Sequence, residues 1–204
     1  MSERLLLPDL SLSFFERTFP RTCLCLTPAE RSKVARELTK LGETRGMWRL
    51  PEKLEGRKWE NSRGFVADLA RLELALRSAT IAPEIESRGF ELVPAAEEPQ
   101  WYEAKFRFDP AHRILESDWP LEEVYAHPDS DHARAPGTFL IFRTGGKAHF
   151  RALGPNESLL IRSLSLGVTL GKVLERNGGP DFDARTFHRW MESGLLRAID
   201  WAAV

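Results

Sequence analysis

The sequence predicts an α+β protein, with an N-terminal helical bundle followed by a C-terminal domain built on a small antiparallel sheet and three short helices. Three observations carry this. Phe65, Leu69, Leu72 and Leu76 recur at spacings of four, three and four, the period of a helix with one apolar stripe. Tyr102, Ala104, Phe106 and Phe108 alternate with Glu103, Lys105 and Arg107, the period of a strand with one buried face. Thr138 to Thr144 and Lys147 to Leu153 flank Gly145-Gly146, the pattern of two strands joined by a two-residue turn.

Along the chain, Leu10 to Phe19 is a short apolar segment that stops at Pro20. Thr27-Pro28-Ala29-Glu30 is a helix start: Thr27 can cap, Pro28 suits the first turn, and Glu30 stands where a capping box needs it. That helix runs through Val34, Leu38 and Leu41 to Gly42. Arg45 to Arg63 reads as a polar, irregular connection carrying Trp48 and Trp59. The striped helix follows, with Arg71 and Arg77 off the stripe. Two prolines and two acids in Val93 to Pro99 mark a linker, so the expected domains are 1–92, helical, and 100–204, mixed.

In the second domain the strand 101–108 precedes a short helix, Leu121 to Tyr125, after Pro120. The two-residue turn of hairpin 138–153 fixes its register. Phe142 faces His149 and Leu140 faces Arg151 on one face; Ile141 faces Phe150 and Phe139 faces Ala152 on the other. The wholly apolar set is the expected core face, and the mixed set is expected to be partly exposed. Gly154-Pro155-Asn156-Glu157 opens a helix that ends at Gly167. Thr169 can cap a second running to Arg176. Asp183 can cap a third, with Phe187, Trp190 and Met191 on its apolar side, ending at Gly194. The tail from Leu195 packs back as a strand or a docked extension. A winged-helix-like arrangement is one form these C-terminal elements could take.

Hydrophobic residues make up 42% and charged residues 29% of the chain, as in ordinary globular proteins. The first residues lack the long apolar run of a secretory signal, and no apolar stretch approaches the roughly 20 residues of a membrane helix, so a cytoplasmic protein is expected. The net charge of −1 is unevenly spread: +4 over residues 1–78, −8 over 79–136 and +3 over 137–204. An acidic middle would repel a polyanion, which argues against a nucleic-acid binder. The helix from Asp183 offers a duplex only Arg185, His188 and Arg189 beside Asp183 and Glu192.

No catalytic or metal-binding set is legible. Cys23 and Cys25 are poorly spaced to bridge each other and lack companions for a zinc site, so they read as small apolar side chains. His127-Pro128-Asp129-Ser130-Asp131-His132 has the right ligand types for a metal but the character of a solvated turn. His149 has no nucleophile beside it, and His188 reads as structural. Gly145-Gly146 and Gly178-Gly179 lack the spacing of a phosphate loop. Trp48, Arg49, Lys53, Arg57, Lys58 and Trp59 interleave basic and aromatic residues, but Glu52, Glu55 and Glu60 dilute the charge. Trp and Arg are common anchors of protein interfaces, so Trp48, Arg49 and Trp59, with Trp119 and Tyr125, are assigned to a partner surface.

Several segments point to a family. Phe65-Val66-Ala67-Asp68-Leu69-Ala70-Arg71-Leu72-Glu73, Phe108-Asp109-Pro110-Ala111-His112-Arg113-Ile114-Leu115 and Trp119-Pro120-Leu121-Glu122-Glu123-Val124-Tyr125 resemble the HvfC/BufC-type proteins. So do Phe139-Leu140-Ile141-Phe142-Arg143, Leu153-Gly154-Pro155-Asn156-Glu157, Gly167-Val168-Thr169-Leu170-Gly171-Lys172 and Phe182-Asp183. The likeness covers roughly residues 60–195. The opening Leu7-Pro8-Asp9-Leu10-Ser11-Leu12-Ser13-Phe14-Phe15 looks most like the methanobactin-biosynthesis branch of that group. The resemblance implies a non-catalytic subunit in a heterodimer with an MbnB-like iron-binding barrel protein. The iron would sit in the partner and no cofactor in this chain. It also implies an MbnA-like precursor peptide, whose leader this chain would bind while a cysteine is oxidised to an oxazolone and thioamide. The resemblance carries no residue-level motif. A sheet edge can accept an extended peptide as an added strand, so the mixed hairpin face, Leu140, Phe142, His149 and Arg151, is the expected peptide contact. A DNA-binding regulator and a hydrolase built on the histidine loop are the rival expectations.

Overall fold

The computed structural model describes residues 10–55, 64–88, 90, 98–176 and 184–201. The fold is α+β, with helices in the N-terminal part and small sheets in the C-terminal part. It forms two compact units, Met1–Arg77 with Ser117–Gly137, and Ser78–Glu116 with Thr138–Val204. The segment 117–137 thus packs with the N-terminal helices, whereas the sequence reading placed it in a continuous domain 100–204. The Val93 to Glu97 part of the expected linker lies outside the described residues.

The first unit is helical. Helix α1 spans Leu10–Thr18, α2 Pro20–Leu24, α3 Pro28–Leu41, α4 Glu43–Leu54 and α5 Val66–Ile81. The expected capping box is present: Glu30 N–H donates to Thr27 Oγ1, and Thr27 N–H donates to Glu30 Oε2 at 2.8 Å. Such a cap is worth about 1 kcal/mol. The first part of the expected irregular connection, from Arg45 to Leu54, is instead α4, and its part 56–63 lies outside the described residues. Helix α4 contains both Gly46 and Pro51, two residues that argue against a helix interior. Gly46 explains itself: a Cβ there would lie 3.0 Å from Leu38, so its absence lets α4 lie close on α3. Phe15, Phe19, Val34, Leu38, Leu50, Leu54, Phe65 and Leu69 form the core, joined by Val124 of α7, Leu121–Ala126. Phe65, Leu69 and Leu72 of the expected stripe are buried and Leu76 half-buried, but Val66, Ala67, Ala70 and Leu74 are buried as well, so this helix is covered on more than one face; Arg77 is exposed.

Buried Glu73 of α5 holds the start of α2. Its carboxylate accepts from Arg21 N–H at 2.7 Å, Thr22 N–H at 2.9 Å and the Thr22 hydroxyl at 2.6 Å. The two N–H groups are among the donors that the first turn of a helix leaves unpaired. Burial pushes the Glu73 carboxyl above the usual value despite these bonds.

The second unit carries both sheets. Helix α6 is Glu98–Glu103, β1 Lys105–Phe108, β2 Arg113–Ser117, β3 Gly137–Thr144 and β4 Lys147–Leu153. Helix α8 is Pro155–Ser165, α9 Leu170–Arg176, α10 Ala184–Glu192 and β5 Leu196–Asp200. The alternation expected over 101–108 holds for Ala104, Phe106 and Phe108, which are buried, but Trp101 to Glu103 are helical and Tyr102 is exposed. Tyr102 lies on α9 at Gly171, where a Cβ would come within 2.7 Å of its ring. The tail does return as a strand, β5, antiparallel to β1. The other sheet has the order β2-β3-β4. Its hairpin register matches the expectation at every pair from Thr138↔Leu153 to Thr144↔Lys147. Gly145 and Gly146 have φ of 56° and 75°, which a two-residue hairpin turn requires and side-chain-bearing residues resist. Thr169 precedes α9 as expected, but its buried hydroxyl makes no capping bond.

An ion cluster sits inside this unit. Asp109 is fully buried and accepts from Arg197 Nε at 2.8 Å, with Arg143 Nη2 at 3.4 Å. The register of β1 and β5 skips Arg197, pairing Arg107 with Ala198 and Phe108 with Leu196. The guanidinium of the skipped residue is the one that reaches Asp109. Arg143 also donates to the Ala82 and Pro83 carbonyls, so the cluster ties β3 and β5 to the two residues that follow α5.

Candidate functional site

The mixed face of the hairpin borders a groove in the second unit. Alternation puts Leu140 and Phe142 of β3 and Arg151 of β4 on one side of the sheet. Arg189 and Trp190 of α10, then Ser193 and Leu195 after it, form the other wall, and a cavity of about 300 Å³ lies between. Gly194, with φ of 70°, turns the chain from α10 into β5. The Thr144 hydroxyl donates to the Ser193 carbonyl at 2.7 Å and fastens that turn to the end of the hairpin.

Leu140, Trp190 and Leu195, each about 1% exposed, are the most buried part of the groove's lining. Phe142 is half-buried and packs against the core of its unit. His149 is exposed, with its ring 5.8 Å from that of Phe142. Three of the four residues assigned to peptide contact thus line one groove, and the fourth stands beside it. The expectation that this face is merely a partly exposed surface fails at Leu140, which belongs to the core. The opposite face buries Phe139 and Ile141, but Ala152 is exposed and Phe150 half-buried.

One charged network braces the groove. Arg151 donates to both oxygens of Glu157, at 2.9 and 2.5 Å, in the bidentate geometry guanidinium and carboxylate favour. Trp190 Nε1 donates to Glu157 Oε1 at 2.8 Å. Burial works against ionising Glu157, yet the bonds from Arg151 and Trp190 and the Arg151 and Arg189 charges prevail and hold its carboxyl below the usual value. Arg189 is exposed, and among the described residues its side chain makes one hydrogen bond, to Thr186 Oγ1 at 3.1 Å. The sequence reading weighed Arg189 only as a DNA contact and Trp190 only as packing, and it gave Glu157 only a place in the helix start. Their convergence depends on α10 folding back over the hairpin, which no local pattern announces.

The residues assigned to a partner surface do not gather. Trp48, 48% exposed, and Arg49 stand on the outer side of α4. Trp59 lies outside the described residues, as do Arg57 and Lys58. Trp119 is half-buried, with its ring edge-to-face on Phe65 at 5.7 Å and Arg134 over it at 5.5 Å. It also fills the space where a Gly64 Cβ would stand. Tyr125 packs against the helical core, with the Arg21 guanidinium over its ring at 5.2 Å. Both are packing residues of the first unit.

The histidine turn is held by its own backbone and neighbours. His132 Nε2 donates to the His127 carbonyl at 2.9 Å, its ring meets Phe65 at 5.3 Å, and Cys25 Sγ lies 3.1 Å from the Pro128 carbonyl. Among the described residues no group of three His, Cys, Asp or Glu side chains is placed to hold a metal ion. Cys23 is a poor nucleophile: burial, then the nearby Glu73 charge, pushes its thiol up to about 12. One pairing was not foreseen. His112 Nδ1 donates to the Asp109 carbonyl at 2.7 Å, so Nε2 accepts from Ser165 Oγ at 3.2 Å. Ser165 is exposed at the end of α8, away from the groove's lining.

No family model and no curated protein matches the chain. Among the described residues no helix is long and apolar enough to cross a membrane.

Proposed function

We propose that the chain is a cytoplasmic, non-catalytic partner subunit of an iron-dependent peptide-modifying oxidase. It binds the leader of a ribosomally made precursor peptide in the groove between the hairpin and α10. The partner is an MbnB-like iron-binding barrel protein, and the reaction served is the conversion of a cysteine to an oxazolone and thioamide in methanobactin-type copper-chelator biosynthesis. The resemblance to HvfC/BufC-type subunits supplies the pathway. The observation that supports peptide binding is the groove itself, because Leu140, Phe142 and Arg151 border one cavity. Its volume, about 300 Å³, is at the low end for ligand sites and suits one or two side chains of an extended segment. Trp190 and Phe142 give apolar walls and Arg151 a fixed polar group, the mixture that orients a ligand as well as holding it.

The test is reconstitution. Co-expressed with an MbnB-like iron protein, the chain should co-purify with it, and the pair should oxidise a methanobactin-type precursor while neither protein does so alone. Turnover by the chain alone, or full turnover by the iron protein without it, would end this reading. If the pair forms but acts on a different cysteine-containing precursor, the chain serves another HvfC/BufC-type pathway.

A further inference from the structure

We propose that the groove selects a peptide segment in which a large apolar side chain neighbours an acidic one, and that Arg189 is the specificity-determining residue for the acid. This rests on the reading that the groove binds peptide. Leu140, Phe142, Trp190 and Leu195 make an apolar cleft, so an apolar side chain entering it exchanges water for hydrocarbon. The two cations on the lining differ in what they can offer. Arg151 is engaged by both oxygens of Glu157, and Glu157 is further fixed by Trp190, so the Arg151 charge is compensated and its position fixed. Arg189 is exposed at the rim and makes no ion pair among the described residues, its one bond going to the neutral Thr186 hydroxyl. Among the described residues, the two guanidinium groups on the lining set against the one carboxylate that Arg151 binds leave one net positive charge there. A carboxylate one or two positions from the buried apolar side chain would meet it, in the bidentate geometry that guanidinium favours. Glu157 is then a positioning residue: it fixes Arg151 and leaves Arg189 as the cation open to the ligand.

The experiment uses the full chain and fluorescein-labelled, amidated hexapeptides of glycine and serine. Each carries one central pair: leucine–glutamate, leucine–glutamine or serine–glutamate. Fluorescence anisotropy at low salt should rank leucine–glutamate first, about tenfold tighter than either other peptide. Arg189→Gln should bring the glutamate-to-glutamine ratio to about one, and Arg189→Lys should keep part of it. Arg162→Gln removes a cation that pairs with Glu116 outside the groove, and should leave the ratio unchanged. Equal affinity for the glutamate and glutamine peptides, or a ratio that survives Arg189→Gln, overturns the proposal while leaving an apolar peptide groove in place. A ratio lost equally in Arg162→Gln overturns it in favour of diffuse charge. N-acetylglutamate binding as tightly as the best peptide overturns it in favour of a small-anion site. No binding by any of the peptides ends both this proposal and the peptide-groove reading.

Discussion

Two regions looked like recognition surfaces in the sequence, and folding treated them differently. Leu140, Phe142, His149 and Arg151 were grouped by strand register, and three of them line one groove with the fourth adjoining. Trp48, Arg49, Trp59, Trp119 and Tyr125 were grouped by residue type; Trp59 lies outside the described residues, and the other four divide into an exposed pair on α4 and two rings packed into their own unit. Register is a geometric constraint and survives folding. Composition reports only that a residue is capable of anchoring a partner, and the same large rings anchor cores.

The largest effect that bears on this contrast comes from the ion cluster of the same unit. Asp109→Ala would leave Arg143 and Arg197 without the carboxylate that pairs them, and should cost roughly 3–5 kcal/mol in urea denaturation. A cost near zero would mean that the cluster does not hold β3 and β5 together. Next, the aromatic set should separate by stability. Trp119→Ala should cost about 3 kcal/mol and Trp48→Ala less than about 0.5 kcal/mol. If Trp119 were an interface anchor instead, its replacement would spare stability and weaken the partner complex.

Within the groove, Phe142→Ala and Arg151→Ala should each weaken leader binding about tenfold with the fold retained, as read by titration and near-UV circular dichroism. Unchanged affinity in both would remove the hairpin face from recognition.

The smallest effect is a difference in pH dependence between two carboxyls, one per unit. Glu157 has a lowered value, so its contribution is complete above the ordinary 4.5 and fades as pH falls through the folded-state value. Glu73 has a raised value, so its contribution is complete below 4.5 and is lost as pH rises through the folded-state value. Stability measured against pH should therefore diverge in opposite directions for Glu157→Gln and Glu73→Gln relative to the parent. Parallel curves would contradict the assigned environments.

What the sequence made legible was local. The Thr27–Glu30 box and the Gly145-Gly146 turn each encode their structure within a few residues, and each is present. What it hid was non-local or locally contradictory. Asp109 finds Arg143 and Arg197 across 34 and 88 residues of chain, with no pattern to link them. Helix α4 carries a glycine and a proline that local propensity counts against it, and the glycine makes sense only once α3 is alongside. Strand β2 breaks alternation, and Trp101 to Glu103 follow Pro99 into a helical turn that their alternation disguised. The groove's second wall, Arg189, Trp190, Ser193 and Leu195, was hidden for the same reason: it is assembled by the return of α10 over the hairpin.

Amide hydrogen exchange on the full chain, with and without a synthetic methanobactin-type leader, would set the two regions side by side. Slowed exchange on adding leader is predicted in 139–152 and 187–196, with α4 unchanged. Protection confined to α4, with the hairpin and α10 exchanging as before, would contradict the account.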